Sequence, residues 1–178
     1  MGSYAVFLRG INVGGINITM ADLRRALQDC GFADAKTVLA TGNAVLNSSL
    51  DAAGVKREAE KCLRGAFGYE AWVVVLDAAR VAELVGACPY PADDKATHTY
   101  ITLSSDPAVL DELEAAGSGL EATTLQRLGP AALAWLAPAG GTLASPFSKL
   151  SAKAKYKAAT TTRNLRTLIK VRDAAAAL

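Results

Sequence analysis

The residues best suited to chemistry lie in a glycine-rich stretch after the first apolar run. Arg9 follows the apolar residues 4–8, and residues 10–15 include three glycines and one asparagine. Glycines let a backbone turn tightly and expose its N–H groups, and an arginine can form bidentate hydrogen bonds with phosphate or carboxylate. We therefore expect an anion-binding loop. The alternative is that Arg9 pairs with a local acid and the glycines only permit the turn.

Two later segments supply further candidate residues. Thr41-Gly42-Asn43 is predicted as a two-residue hairpin turn, because glycine and asparagine accept positive φ. Thr161 is predicted as the N-cap of the last helix, which would place free N–H groups and the positive end of its dipole near Arg163. We expect the glycine-rich loop, the start of the last helix at 161–164 and the preceding basic helix, which carries Lys149, to meet in one cleft between two subdomains. Asn43 would supply a hydrogen bond there. The predicted ligand-binding residues are Arg9, Asn12, Gly14, Gly15, Thr41, Asn43, Lys149, Arg163 and Asn164.

The same residues have a purely structural interpretation. Asn12 and Asn164 would then only cap turns, and Arg9 and Arg163 would tie the subdomains together through surface acids. The basic residues of the C-terminus favour the ligand interpretation. The whole chain carries a net charge of +2, but residues 146–178 contain eight basic side chains and one acid, so the rest is acidic. This asymmetry favours a negatively charged partner, although a solvated basic face is the alternative.

Familiar catalytic and nucleotide-binding patterns are missing from the sequence. No Gly-Lys-Ser/Thr follows a glycine loop, and the glycines of 10–15 fail the dinucleotide spacing. The neighbouring acids Asp93-Asp94 and Asp111-Glu112 make poor acid–base pairs, because sequence neighbours on a helix do not face each other. His98 is the only histidine, and nothing marks a serine to act with it. The aromatic pattern of sheets that stack RNA bases is also missing.

The three cysteines are widely spaced and form no CxxC pair. Cys30 and Cys62 fall on apolar helix faces, so they and Cys88 are predicted to be reduced thiols without a metal. With a single histidine, a zinc site is not expected, and no cofactor is implied. No apolar run reaches the roughly 18 residues that would span a bilayer, and no signal segment is evident. We therefore expect a soluble, cytoplasmic protein that does not bind membranes.

The first half of the chain predicts a βαββαβ order. Strands are expected at 4–8, 36–40, 44–46 and 70–76, and helices near 20–30 and 52–67. Thr19 with Asp22 forms a capping box for the first helix, and Asp51 or Ser49 caps the second. This order is typical of the ferredoxin-like arrangement, with spatial strand order 4-1-3-2 and both helices on one face.

The second half predicts a related βαββα unit followed by basic C-terminal helices. A strand at 97–103, a helix opened by Ser105-Asp106-Pro107 and a hairpin at Gly129-Pro130 come first. Two helices follow, one from Ser145-Pro146 and one from Thr161. The proline-containing, charged segment 88–95 is the expected linker. The predicted fold class is thus α+β, with a ferredoxin-like subdomain over residues 1–87 and a second α+β subdomain over 88–178.

The motifs resemble those of the bacterial family known as domain of unknown function 1697. The resemblance rests on Leu8–Gly15, Met20 with Leu23, Thr41-Gly42-Asn43, Ser148-Lys149-Leu150 and Thr161 through Thr167. Two positions depart from the pattern: Leu165 stands where the family has tryptophan, and Arg166 where it has asparagine. The resemblance implies an α+β fold of two subdomains, the first similar to ferredoxin, and implies no established activity.

Two hypotheses for the function follow. The first is binding of an anionic ligand, namely a phosphate-containing metabolite, a nucleotide or a nucleic-acid backbone, in a cleft between the subdomains. The second is an enzyme of unassigned class acting on a phosphorylated or carboxylated small molecule. Neither the oligomeric state nor the identity of the ligand follows from the sequence.

Overall fold

The fold is α+β, with two four-stranded antiparallel sheets. The computed structural model describes residues 1–11, 15–121 and 123–178. The chain divides into two compact units, Met1–Ala82 together with Ile169–Leu178, and Glu83–Leu168. We call these the N-terminal unit and the C-terminal unit. The division by compactness thus assigns the last ten residues to the N-terminal unit, whereas the sequence placed all of 88–178 in the second subdomain.

The described residues form eight strands and six α-helices, with short 3-10 turns at Thr142–Ala144 and Ala154–Tyr156. In chain order they are β1 (Gly2–Arg9), α1 (Met20–Asp29), β2 (Lys36–Val38), β3 (Asn43–Ser48), α2 (Ala52–Phe67), β4 (Trp72–Asp77), α3 (Ala78–Ala87), β5 (Thr97–Ser104), α4 (Pro107–Ser118), β6 (Leu125–Leu128), β7 (Ala132–Pro138), α5 (Pro146–Ser151), β8 (Thr160–Asn164) and α6 (Leu165–Ala176).

The N-terminal sheet has the predicted topology. Its spatial order is β2-β3-β1-β4, and every neighbouring pair is antiparallel. Alternate residues of β1 (Tyr4, Val6 and Leu8) pack in one apolar cluster with buried residues of α1 and α2, such as Leu27 and Leu63. Because side chains of a strand alternate between faces, both helices lie on the face that carries these three residues. The ferredoxin-like prediction is confirmed for this unit.

Both helices of this sheet begin at side-chain caps. The backbone N–H of Asp22 donates to Oγ1 of Thr19, whose hydroxyl donates in turn to the Asp22 carboxylate. At the start of α2, the N–H of Gly54 donates to Oδ1 of Asp51, so Asp51 is the cap. Each cap satisfies an N–H group that the helix itself leaves without a partner.

Side chains of α2 cover the outer edge of β4. The carboxylate of Glu60 accepts from the backbone N–H of Val73 at 3.0 Å, and the Lys56 ammonium donates to the carbonyl of the same residue at 2.6 Å. Lys56 also pairs with Glu60 at 2.5 Å, and Arg64 donates to the carbonyl of Ala71. β4 is the last strand on its side of the sheet. These bonds occupy backbone groups that could otherwise pair with another chain.

The C-terminal unit contains one strand more than the sequence predicted. Its sheet has the order β6-β7-β5-β8, the same spatial order as the first sheet. Thr161 was expected to cap the last helix, but Thr160–Asn164 forms β8, which pairs antiparallel with β5. Three consecutive threonines favour a strand because β-branched side chains fit a pleated sheet. The prediction of a helix N-terminus at Thr161 was therefore wrong.

The core of the C-terminal unit is aromatic. Trp135 is fully buried and stacks against Tyr100 with 5.0 Å between ring centroids, and Phe147 lies 5.2 Å away on a tilted plane. The indole N–H of Trp135 donates to the hydroxyl of Thr102 at 3.0 Å. A buried tryptophan needs such a partner for its N–H group. This core fixes β7 against β5 and places α5 on the sheet.

Cys30 and Cys62 form a disulfide, with 6.1 Å between their Cα atoms. The prediction that both are reduced thiols was wrong. Cys62 lies within α2 and Cys30 is the C-cap residue directly after α1, and these two helices pack side by side on one face of the sheet. That packing brings two residues 32 positions apart within bonding distance. Cys88 is the free cysteine and is half-buried.

No helix among the described residues is both long and apolar enough to cross a membrane.

Candidate functional site

Three predicted site residues meet at the end of β1 in the N-terminal unit. Phe7 pairs directly with Asn43, and the backbone N–H of Leu8 donates to the carbonyl of Gly42 at 2.8 Å. Residues two apart on a strand share a face, and directly paired residues do as well. Arg9, two residues after Phe7, is therefore on the same face as Asn43 and lies alongside the loop that contains Thr41. This is the face opposite α1 and α2.

The glycine-rich loop begins against the same turn. A Cβ atom added to Gly42 would lie 2.6 Å from Cδ1 of Ile11 and 3.2 Å from Cβ of Leu8. The side chain of Ile11 therefore covers Gly42, and only glycine leaves room for it. The sequence predicted that the glycine-rich loop and the 41–43 turn would come together, and within the N-terminal unit they do.

Trp72 is a fourth residue at this place, and sequence analysis missed it. It is the direct cross-strand partner of Arg9 in the β1–β4 pair and is half-buried. The predicted strand order contained a usable signal, because antiparallel pairing brings the start of the fourth strand to the end of the first. An indole beside a guanidinium offers a flat apolar surface next to a positive charge.

Arg9 is the charged member of this group. Its side chain is partly buried, and this burial lowers the pKa of the guanidinium below its ordinary value. An arginine is still protonated at neutral pH because its ordinary pKa lies so far above 7. A charge partly removed from water acts on a nearby anion more strongly than an exposed one. Burial thus strengthens the electrostatic attraction that the sequence assigned to this position.

Asn43 stabilises the hairpin loop. It is fully buried, and its amide donates to the carbonyl of Val38 at 3.0 Å and to Oγ1 of Thr41 at 2.9 Å. The β2–β3 pair ends at Val38 and Asn43, so the loop has four residues and not the two that we predicted. Positive φ was predicted at Gly42 or Asn43, and Gly42 has φ +75°. Leu39 also has a positive φ, of +57°.

Two further glycines of the glycine-rich loop have a left-handed backbone conformation. Gly10 and Gly15 have φ of +75° and +87°, and open space surrounds the position of a Cβ at each. A positive φ is the conformation that glycine accepts without strain. Asn12 and Gly14, both predicted ligand-binding residues, lie outside the described residues.

Lys149, Arg163 and Asn164 belong to the C-terminal unit. Lys149 is exposed near the C-terminal end of α5. Arg163 is buried on β8, where one guanidinium nitrogen donates to Oγ1 of Thr161 at 2.7 Å and to the carbonyl of Thr162 at 2.9 Å. Oδ1 of Asn164 accepts from the backbone N–H of Arg166 at 2.9 Å. Arg163 and Asn164 thus have local structural contacts.

Residues 146–168, the part of the basic segment that belongs to the C-terminal unit, are balanced by acids of that unit. Residues 83–168 contain eight basic and eight acidic side chains. Lys155 forms an ion pair with Glu112, and Tyr156 also donates to that carboxylate. The hydrogen bonds from Lys155 and Tyr156 lower the pKa of Glu112. The charge asymmetry seen along the chain is therefore not a charge asymmetry of the C-terminal unit.

Among the described residues, no group of three or more His, Cys, Asp or Glu side chains is arranged to hold a metal ion. The chemistry that the β1 end can offer comes from one guanidinium, one indole, a hydroxyl and backbone amides. Such groups bind anions and stack on rings.

Comparison with known proteins assigns the family. A model of the family described as "Protein of unknown function (DUF1697)" matches residues 1–127. The chain belongs to this family. The matched range includes Arg9, the glycine-rich loop, Thr41, Asn43 and Trp72, whereas the departures at Leu165 and Arg166 fall outside it. A search of curated proteins gave no match.

The fold of this DUF1697 protein is similar to that of a solved structure. That structure is the conserved bacterial protein SP0830 from Streptococcus pneumoniae, which matches this chain with a TM-score of 0.79 and 20% sequence identity. The similarity covers 98% of this chain and 98% of that one. A sequence identity of 20% shows a shared fold, and a function has to be inferred from the residues of this chain.

Proposed function

We propose that this DUF1697 protein binds a phosphate-containing ligand at the end of β1 in the N-terminal unit. The observation that carries the proposal is the position of Arg9. Arg9 ends β1 between Trp72 on β4 and the Thr41–Asn43 turn, at the start of the glycine-rich loop, and its guanidinium is partly buried. A planar guanidinium and backbone N–H groups are the protein donors that fit phosphate oxygens best.

The neighbouring indole favours a nucleotide or a nucleic-acid segment over inorganic phosphate. Stacking of a base on an aromatic side chain contributes roughly 1–3 kcal/mol, and Trp72 lies directly opposite Arg9. A ligand with both a phosphate and a base would use both side chains. None of Arg9, Thr41, Asn43 and Trp72 is a group with an ordinary pKa near 7. This set of side chains favours binding over acid–base catalysis, and so over the enzyme hypothesis.

Substituting Arg9 tests the proposal. We expect Arg9→Ala to weaken binding of AMP and of a single-stranded oligonucleotide by roughly 10- to 100-fold, since a charged hydrogen bond contributes about 1.5–3 kcal/mol. Arg9→Lys should give an intermediate loss because it keeps the charge and loses the bidentate geometry. Isothermal titration calorimetry measures each affinity.

The control is Arg57→Ala, which removes an exposed arginine from α2. It should leave the affinity unchanged. If Arg9→Ala lowers the melting temperature while the affinity stays that of the unmodified protein, Arg9 has a structural role and the proposal is wrong. Trp72→Leu separates the two parts of the ligand, because it should weaken binding of AMP more than binding of inorganic phosphate.

A further inference from the structure

The two residues of the Cys30–Cys62 disulfide differ in solvent exposure. Cys30 is the C-cap residue of α1 and is exposed. Cys62 lies inside α2, with only 7% of its surface accessible. A thiolate approaching from solvent can therefore attack the sulfur of Cys30 much more easily than that of Cys62, and accessibility is one of the factors that set exchange rates.

A cavity of about 500 Å³ lies beside this disulfide. Both cysteines line it, together with Asp29, Lys61 and Glu58 among others. Its volume falls within the range of small-molecule sites, roughly 300–1,000 Å³. The wall carries two acids, Asp29 and Glu58, and one base, Lys61, so Lys61 offsets part of a negative charge that would otherwise repel an anionic thiolate. The disulfide is thus the reactive group of a cavity large enough for a small thiol.

We propose that this cavity is a thiol–disulfide exchange site, at which a small-molecule thiol reduces the Cys30–Cys62 bond in the folded protein. This site is separate from the one at the end of β1, and the two proposals are tested independently.

The exchange has two steps. The thiolate of the first small molecule attacks the sulfur of Cys30, the Cys30–Cys62 bond breaks, and Cys62 leaves as a thiolate that takes up a proton. The thiolate of a second molecule then attacks the small-molecule sulfur of the mixed disulfide and releases Cys30. In total, two small thiols are oxidised to one disulfide, and the protein disulfide gains two electrons and two protons.

The structure contains a hydrogen-bond partner for the reduced Cys62. Its sulfur lies 3.0 Å from the carbonyl oxygen of Ala26. Once the departed thiolate of Cys62 has taken up a proton, its thiol can donate to that oxygen, which stabilises the reduced form of the pair. Cys30, at the exposed helix end, is then the sulfur that carries the mixed disulfide.

The helices have their own contacts with the sheet. Leu23 and Leu27 of α1 and Leu63 of α2 are fully buried in the cluster that covers β1. Burial of a leucine side chain contributes about 1.5–3 kcal/mol. The packing of α1 and α2 therefore does not depend on the disulfide alone, and reduction without unfolding is expected.

The experiment uses the full chain with Cys88→Ser, so that only the two cysteines of the pair react. Incubation with 2-mercaptoethanol in native buffer, followed by iodoacetamide and mass spectrometry, should show two alkylations while far-UV circular dichroism keeps its native form. When Cys62→Ser is added, the reagent becomes 2-hydroxyethyl disulfide, and Cys30 should exchange with it to form one mixed disulfide and release one molecule of 2-mercaptoethanol. The matched variant Cys30→Ser should form its mixed disulfide on Cys62 several-fold more slowly.

Substituting Lys61 provides a second measurement, in which both cysteines of the pair are retained. Lys61→Ala should slow the reduction several-fold, whereas Arg57→Ala, which removes an exposed charge from the same helix, should not. The proposal is overturned if alkylation requires denaturant, if reduction and unfolding occur together, or if the Cys62→Ser and Cys30→Ser variants form their mixed disulfides equally fast. The first two results would make the disulfide a purely structural cross-link.

Discussion

At the scale of single residues, two glycines with the same backbone conformation have different surroundings. Gly10 and Gly42 both have φ +75°, but Gly10 faces open space and Gly42 faces Ile11. An alanine at either position is strained by its positive φ. Only at position 42 does the added methyl group also collide with a neighbour. Comparing the two substitutions therefore separates backbone strain from packing.

We predict that Gly42→Ala destabilises the protein more than Gly10→Ala does. Gly10→Ala should cost about 1 kcal/mol from strain alone, and the clash in Gly42→Ala should add roughly 1–3 kcal/mol. Urea unfolding measures both values. Adding Ile11→Ala should recover part of the loss in Gly42→Ala and none in Gly10→Ala. Equal losses for the two glycines would show that Ile11 does not cover the turn.

Tyr69 gives a prediction about pH. Its hydroxyl is buried and has no hydrogen-bond partner among the described residues, and burial raises the pKa of the phenol above its ordinary value near 10. The unfolded state therefore loses this proton at a lower pH than the folded state does. Stability contributed by the neutral phenol is present below the unfolded pKa and is lost as the pH rises through the folded pKa.

We expect Tyr69→Phe to remove this part of the alkaline destabilisation. At pH 8 the variant should be as stable as the unmodified protein or up to about 1 kcal/mol more stable, because an unsatisfied polar group is removed. Between pH 8 and pH 11 it should lose less stability than the unmodified protein. Urea unfolding at both pH values measures the difference, and parallel pH profiles would contradict the assignment to Tyr69.

At the scale of elements, α2 is attached to β4 by polar contacts as well as by apolar packing. Glu60 and Lys56 satisfy the N–H and the carbonyl of one residue, Val73. These two bonds cover backbone groups at the edge of the sheet, which would otherwise be available to pair with a strand of another chain. The opposite edge strand, β2, has only three residues, and a short edge strand is another protection against unwanted pairing.

Glu60→Ala should therefore cost about 2 kcal/mol, since it leaves the N–H of Val73 and the ammonium of Lys56 without their acceptor. Glu58→Ala is the control on the same helix. Glu58 is exposed, so its removal should change the stability by less than about 0.5 kcal/mol. Chemical denaturation measures both values, and hydrogen exchange at Val73 should accelerate only in Glu60→Ala. Equal effects of the two substitutions would refute the edge-covering role.

At the scale of the whole molecule, the disulfide links two residues of the same unit, and the basic and acidic side chains of the C-terminal unit balance each other. The disulfide closes a segment of 32 residues inside the N-terminal unit. The C-terminal unit, despite its basic final segment, has equal numbers of acids and bases. The disulfide and the balance of charge are therefore properties of one unit each, although the sequence shows them only as features of the whole chain.

Reduction of the disulfide should destabilise the N-terminal unit and leave the C-terminal unit's local stability largely as it was. Loop entropy for a segment of this length corresponds to roughly 3–4 kcal/mol. Hydrogen exchange followed by mass spectrometry should show faster exchange in α1 and α2 after reduction, with little change in β5 and β7. The double variant Cys30→Ala/Cys62→Ala should reproduce the reduced pattern. Equal acceleration in both units would show that the cross-link does not act locally.

The sequence alone determined the features that depend on local periodicity and on turn chemistry. The βαββαβ order and the strand order of the first sheet followed from apolar spacing, because a given order of elements permits few topologies. The cap at Thr19 also followed, since it depends on one residue type at one position. For the second cap and for the positive φ in the hairpin the sequence left two residues each, and the structure selects Asp51 over Ser49 and Gly42 over Asn43.

Tertiary structure decided the features that depend on partners far away in the chain. Residues 160–164 have a threonine pattern compatible with either a helix cap or a strand, and pairing with β5 made them a strand. Cys62 lies on a helix as predicted and Cys30 directly follows one, but only the packing of those helices joined them. Trp72 became the neighbour of Arg9 through sheet register. In each case the deciding contact joins residues that are distant in sequence, and no local pattern contains that information.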